Sequence, residues 1–318
     1  MTAARASRRA LLSLTALAVA GLGLASPARA RTPIALRLVV GAPRGTGADR
    51  WARGFAPFLE RHWPHSNVTV SNQPGEGGLA AARGLASATP DGRSFGLVAT
   101  PALIARAIER GAAEMLDSIT FGAAVTEETL VLVAPPGTDL AALRTRAGGL
   151  IGCPPPGSTG HLLAGELAAP LPLNLLAFPN ATSARQAVLA GNLAAALLLL
   201  PDVLTALRED RLVALASGGA ARSPILPDVP GFAELNLPTP LPTWRGFVLP
   251  RGTPPEMSGK LQRSLLAAVG DPEFVEQAAA AGFEPRFIPG HAWNEQLSHL
   301  RRRLARRWEQ APWTAPRD

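Results

Sequence analysis

Apolar runs of about six residues alternate with amphipathic stretches along this chain, and the alternation predicts βα units. Leu36–Gly41 reads as a strand and Gly41-Ala42-Pro43-Arg44-Gly45-Thr46-Gly47 as a glycine-rich turn. Asp49–Trp63 follows as a helix with Trp51, Phe55, Phe58, Leu59 and His62 on one side. Pro57 lies inside that pattern, so a kink or an early 3₁₀ turn is expected there. Val68–Ser71 is a second strand, Asn72-Gln73-Pro74-Gly75-Glu76-Gly77-Gly78 a second glycine-rich turn, and an Ala-rich helix runs to about Ala88. Thr89-Pro90-Asp91-Gly92 turns into a third strand, Ser94–Ala99, which ends at Thr100-Pro101. Such units argue for a parallel sheet flanked by helices.

The same grammar recurs further on. Thr129–Ala134 is an apolar strand leading to Pro135-Pro136-Gly137, where the chain is expected to cross into a second domain. Leu150–Cys153 is a strand, Pro154–Gly160 a loop and His161–Ala168 a helix. Leu173–Phe178 is a strand ending at Pro179-Asn180, a helix reaches Ala190, and Leu193–Leu200 suits a strand buried on both faces. Arg222–Pro230 is too proline-rich for a helix or a central strand, so it reads as an ordered connector. Trp244–Pro250 returns to the first domain, and Thr253-Pro254-Pro255-Glu256 reads as a capping box before the next helix. Asp271-Pro272-Glu273 caps another helix, which Gly282 ends. In the last helix Trp293, Leu297, Leu300, Leu304 and Trp308 form a core-facing stripe, leaving the clusters Arg301–Arg303 and Arg306-Arg307 on solvated faces.

The first thirty residues stand apart from this pattern. A basic start (Arg5, Arg8, Arg9), an apolar run from Ala10 to Leu24 and Ala28-Arg29-Ala30 describe a signal peptide cleaved after Ala30. The run is short of the roughly 20 residues that a membrane span needs. The paired arginines suit either the twin-arginine or the Sec route, and both lead to the periplasm. Removing this leader changes the charge argument. Of 31 Lys+Arg the leader takes four, leaving 27 against 24 Asp+Glu, so the whole-chain excess of +7 falls to +3 and nucleic-acid binding loses its electrostatic case. A composition 47 % hydrophobic and 17 % charged is globular with ample core. One cysteine, Cys153, excludes an internal disulfide, and with five scattered histidines it makes a metal site improbable; no cofactor is expected.

The candidate chemistry sits at the turns. Gly45 and Gly47 permit close approach of an anion to backbone N–H groups at a helix start, and the Thr46 hydroxyl adds a donor. An ordinary βα turn is the competing reading. It is neither a P-loop nor a dinucleotide fingerprint: the only lysine is Lys260, and a third glycine is missing. Asp49 could read a ligand amino group or cap its own helix. Thr100 and Asn180 stand at the carboxyl ends of strands, where open α/β sheets bind ligands. His161 could line the pocket or make local hydrogen bonds. Ser158 and His161 are three apart, which raises an acyl hydrolase, but no Gly-x-Ser-x-Gly elbow is present.

These residues resemble one family, the periplasmic solute receptors of tripartite tricarboxylate transporters, or Bug receptors, over residues 34–310. The resemblance rests on Arg-Ser-Pro-x-Leu-Pro-Asp-Val-Pro at 222–230 with Glu234 beyond, Trp-x-Gly-Phe at 244–247 and Gly252-Thr253-Pro254, together with Asn72-x-Pro-Gly-x-Gly-Gly and Pro90-Asp91-Gly92. It implies an α/β, type II periplasmic-binding fold of two Rossmann-like, flavodoxin-like domains joined by crossover strands. The first would comprise residues 31–128 and 246–318, the second 129–245. It implies a monomeric, non-catalytic receptor that closes on a small organic acid (a di- or tricarboxylate, an aromatic acid or an amino acid) and delivers it to membrane transporter subunits. A sensor docking on a membrane kinase would look the same. The turn Pro43–Asp49, with Arg44 at the pocket lip, would hold one carboxylate, and Gly157-Ser158-Thr159 ahead of His161 the other end. Three departures bear on the ligand. Arg44-Gly45-Thr46 stands where the family has Pro-Gly-Gly, Pro154-Pro155-Pro156 removes N–H donors from the second turn, and an aspartate usual after Gly191-Asn192-Leu193 is replaced by alanines.

Overall fold

Two mixed sheets, of six and five strands, organise the protein. The structure, a computed structural model, describes residues 32–314 apart from Ala168 and Ala220; the leader predicted over residues 1–30 lies outside the described residues. The first lobe opens with β1 (Ile34–Val40), α1 (Gly47–His62), β2 (Ser66–Asn72), α2 (Leu79–Ala86), β3 (Ser94–Thr100), α3 (Ala102–Glu109) and β4 (Ile119–Glu128). A second lobe follows, from β5 (Leu130–Ala134), α4 (Leu140–Thr145), β6 (Gly149–Cys153), α5 (Thr159–Leu167) and β7 (Leu173–Ala177) to α6 (Ala181–Leu189), β8 (Ala195–Leu199), α7 (Leu200–Arg208) and β9 (Val213–Ser217). The chain returns through β10 (Thr243–Pro250), α8 (Pro255–Val269), α9 (Pro272–Ala280), β11 (Glu284–Pro289) and α10 (Gly290–Gln310).

The first sheet has the order β11-β4-β10-β3-β1-β2 and the second β7-β6-β8-β5-β9. β1 is parallel to β2 and β3, whereas β10 runs antiparallel between β3 and β4. The carboxyl ends of β1 and β3, the end of β4 and the start of β10 therefore share one edge. Helices α1, α8 and α9 cover one face of this sheet and α2, α3 and α10 the other, each with its own buried apolar cluster.

Several expectations are corrected. β4 is absent from the predicted strands, because its polar end Thr126-Glu127-Glu128 hides the alternation, and α7 and β9 are absent likewise. The crossing between sheets falls at Thr129, not at Pro135–Gly137, since residues 130–133 already pair with β8 and residues 131–134 with β9. Helix α1 runs unbroken through Pro57. The carbonyl that Pro57 leaves without a donor belongs to exposed Arg53, so water can satisfy it. No capping box starts α8: its N-cap is Pro254 without a side-chain cap, and the Thr253 hydroxyl instead donates to the Pro250 carbonyl at 2.8 Å. The stripe on α10 is buried as predicted from Trp293 to Leu304, but its arginines are not all solvated. Arg307 donates to the Leu162 carbonyl at 2.6 Å and pairs with Glu166 at 2.5 Å, both on α5 of the other lobe. Cys153 is buried at the end of β6, where burial pushes its thiol up to about 12.

Candidate functional site

The turn after β1 is built around Asp49. Gly45 takes φ +82°, a backbone conformation that residues with a Cβ resist. Its N–H donates to Asp49 Oδ2 at 2.8 Å, while Arg53 Nε (3.0 Å) and Asn72 Nδ2 (2.9 Å) both donate to Oδ1. The Arg53 guanidinium, then the Gly45 N–H and the Asn72 amide hold this buried carboxyl well below the usual range, against the opposing effect of desolvation. The Thr46 hydroxyl donates to the Pro43 carbonyl at 2.7 Å, and Arg50 Nη1 to the Gly45 carbonyl at 2.6 Å. The donors of Gly45 and Thr46 are thus turned into the loop, and Asp49 acts as its brace.

Arg44 is exposed and lines none of the described cavities. Arg44→Ala should therefore change ligand affinity by no more than about twofold in 1 M salt, where the Debye length is about 3 Å. Titration calorimetry checks this, and a tenfold loss would place Arg44 in the contact.

Two adjoining cavities lie at the shared edge. One, of about 300 Å³, is lined by Gly41 and Ala42 after β1, Gly77 and Gly78 of the second glycine-rich turn, and Leu97–Ala99 and Leu103 of β3 and α3. The other, of about 470 Å³, lies between α1 and α9 on one side and Leu199, Pro201 and Asp202 of the second lobe on the other, with Gly47 at its rim. Arg245, on β10, lines both. Its Nε donates to Glu128 Oε1 at 2.6 Å, and its guanidinium lies 5.3 Å from the ring centroids of Trp51 and Phe283. The Arg245 side chain is 11 % exposed and that of Glu128 2 %. Buried Nη1 of Arg245 has no hydrogen-bond partner among the described residues. Asp202, across the larger cavity, has its carboxyl raised to about 6, by burial first and by the Glu128 charge second.

Second-lobe candidates are mostly engaged elsewhere. Gly157 (φ +81°) is buried where an added Cβ would lie 3.3 Å from Ala105 Cβ on α3, so this turn packs against the first lobe. Ser158 Oγ accepts the His161 N–H at 3.2 Å, and the Thr159 hydroxyl bonds the Thr243 hydroxyl at 2.7 Å. His161 is buried with Nδ1 unpartnered among the described residues; burial, then the Arg307 charge, lowers its pKa and keeps the ring neutral. Asn180 is exposed and caps α6 by accepting the Ser183 N–H at 2.8 Å. Thr100 is fully buried in the first sheet, its hydroxyl directed to the Trp244 carbonyl at 3.4 Å.

Arg245, Glu128 and Asp202 are not among the candidates that the sequence singles out. The available signal for the first is one charge inside the apolar run Trp244–Pro250. Behind these residues the crossing segments are clasped together. The Thr129 and Ser223 hydroxyls both donate to Glu284 Oε1, at 2.5 Å and 2.6 Å.

Comparisons with known proteins bear on the family and the fold. The profile described as "Tripartite tricarboxylate transporter family receptor" matches residues 62–308. Protein BugT of Bordetella pertussis is 28 % identical over 291 residues, spanning 86 % of this chain and 89 % of that protein. Among solved structures, MatC of Rhodopseudomonas palustris with bound malate is similar with a TM-score of 0.68 and 24 % identity, covering 87 % of this chain and 98 % of that one. A second R. palustris protein, solved with adipate, reaches 0.70 at 23 % identity, covering 87 % and 95 %. At these identities the likeness to solved structures is one of fold.

Proposed function

The chain belongs to the tripartite tricarboxylate transporter receptor family, and from that premise we propose that it captures a small organic carboxylate at the edge shared by the two cavities and hands it to membrane transporter subunits. It is a solute-binding receptor and not an enzyme. Its fold is that of periplasmic solute-binding proteins, and with the leader-like first thirty residues this supports a periplasmic location. We take the two sheets to be the two domains, meeting at Thr129 and at the connector before β10.

The carrying observation is the cavity at the carboxyl ends of β1 and β3. Gly41, Ala42, Gly77 and Gly78 line it beside the Arg245 guanidinium. A carboxylate there meets charge-assisted donors in a site partly shielded from water, where such bonds are strong. In this reading Asp49, Gly45 and Thr46 position α1 and the turn, and Leu199, Pro201 and Asp202 of the second lobe form the opposing wall. Relatives of the same fold hold dicarboxylates, malate and adipate, in their own structures, which supports carboxylate as the class.

Thermal denaturation of the mature protein against a panel of organic acids tests this. A ligand specific to the native state stabilises it by RT ln(1 + [L]/Kd), so a hundredfold excess over Kd should raise Tm by several degrees. Ester hydrolysis should be absent in both the wild type and Ser158→Ala. No shift with any acid, together with hydrolysis abolished by Ser158→Ala, would overturn the receptor reading.

A further inference from the structure

The charge inventory around the two cavities is lopsided. Among the described residues lining the smaller cavity, Arg245 has the only side chain with a polar atom; the others are Gly, Ala, Val or Leu. The larger cavity, on the other side of Arg245, presents two carboxylates, Glu128 and Asp202. Its second arginine, Arg50, is exposed and already donates to the Gly45 carbonyl. The second-lobe turn does not make up the difference: Pro154, Pro155 and Pro156 carry no N–H, and neither Ser158 nor Thr159 lines either cavity.

Resting on the carboxylate reading above, we infer that this receptor selects monocarboxylates with an apolar body, with the single carboxylate held by the Arg245 guanidinium and the hydrocarbon part lying in the cavity walled by Leu97, Val98, Ala99 and Leu103. Two physical facts drive the assignment. Arg245 supplies the one charged side chain among the described residues lining the smaller cavity, and a ligand carboxylate complements it. A second carboxylate on the same ligand is poorly placed. Along the apolar walls it loses its hydration without a side-chain donor, and toward the larger cavity Glu128 and Asp202 oppose the attraction of Arg50. The Glu128 contact takes only Nε of the guanidinium, so Arg245 can bridge two carboxylates, one built in and one delivered. Arg245 is thereby a specificity-determining residue that makes direct contact with the ligand.

Titration calorimetry on the mature protein with acids paired by length, butyrate with succinate, hexanoate with adipate and octanoate with suberate, tests the inference without any variant. In at least one pair the monocarboxylate should bind about tenfold or more tightly than its dicarboxylate partner. Arg245→Gln alone would strand the buried Glu128 charge, so the informative variant is Glu128→Gln with Arg245→Gln, its fold checked by its melting transition. That pair of changes should weaken the best monocarboxylate by about tenfold or more while the transition stays cooperative. Dicarboxylates binding as tightly as their partners, or full monocarboxylate affinity in the folded double variant, would overturn the inference and leave the carboxylate reading standing. If no acid of either series binds, the inference fails, and the carboxylate reading is decided by the wider panel of organic acids.

Discussion

Gly246→Ala is expected to cost about 3 kcal/mol or more of stability, at the upper end of what overpacking does. Gly246 is buried in β10, between β3 and β4 and beneath α10. A Cβ at this position would lie 2.4 Å from the Ala123 carbonyl oxygen, 2.5 Å from Trp293 Cη2 and 2.7 Å from Ala124 Cα. Two of these are backbone atoms of β4, and the third belongs to a fully buried indole packed edge-on against Phe121 at 5.2 Å. None can retreat without opening the ladder or emptying part of the core. Urea denaturation of Gly246→Ala beside Gly54→Ala reads the effect. Gly54 is exposed on α1, where an added Cβ would meet nothing within 4 Å, so alanine there should gain a few tenths to about 1 kcal/mol. Ligand affinity should fall in Gly246→Ala as well, since displacement of β10 moves Arg245, the adjacent residue. A midpoint within error of wild type would show that the sheet yields at β4.

Asp202→Asn should stabilise the protein at pH near 7.5 and not near pH 4. Burial and the Glu128 charge raise the Asp202 carboxyl from an ordinary 3.8 to about 6, outweighing Arg185, Arg245 and Arg50, which act to lower it. The native state therefore binds this proton more tightly than the unfolded chain. Below the ordinary value both states are protonated and the residue costs nothing. The penalty grows as pH rises from there to about 6 and stays constant above. Two units correspond to about 3 kcal/mol, which contact with the solvent-filled cavity reduces to about 2 kcal/mol. The position in the first turn of α7 favours a negative charge, and losing that interaction trims the gain slightly. Thermal melts of wild type and Asp202→Asn should coincide near pH 4 and separate by several degrees near pH 7.5. A gain of equal size at both pH values would assign it to packing.

How far the sequence reveals the molecule depends on whether a residue's partners are near in the chain. Strand β1, helix α1 and the stripe on α10 are legible because their burial follows local periodicity. The Arg222–Pro230 connector is legible because proline excludes the alternatives. The end of β4 is illegible: Glu128 lies opposite Thr243 in the ladder, and its carboxylate is held by Arg245, 117 positions away. The site shows the same limit. Gly45, Thr46 and Asp49 are recognisable as a special turn, yet whether their donors face a ligand or each other depends on Asn72, a residue of the next strand. Arg307 looks like one of several solvated arginines because Leu162 and Glu166 lie in the other lobe.

The buried end of β6 has a practical consequence. With a thiol pushed to about 12, Cys153 is a thiolate only on the order of one time in ten thousand near pH 8, so alkylating and disulfide-forming reagents find almost no nucleophile on the native protein. The chain holds no other cysteine. Two cysteines introduced at exposed positions, one on each lobe, would react as if alone, and spectroscopic labels attached to them would report the distance between lobes in the wild-type background, with ligand and without.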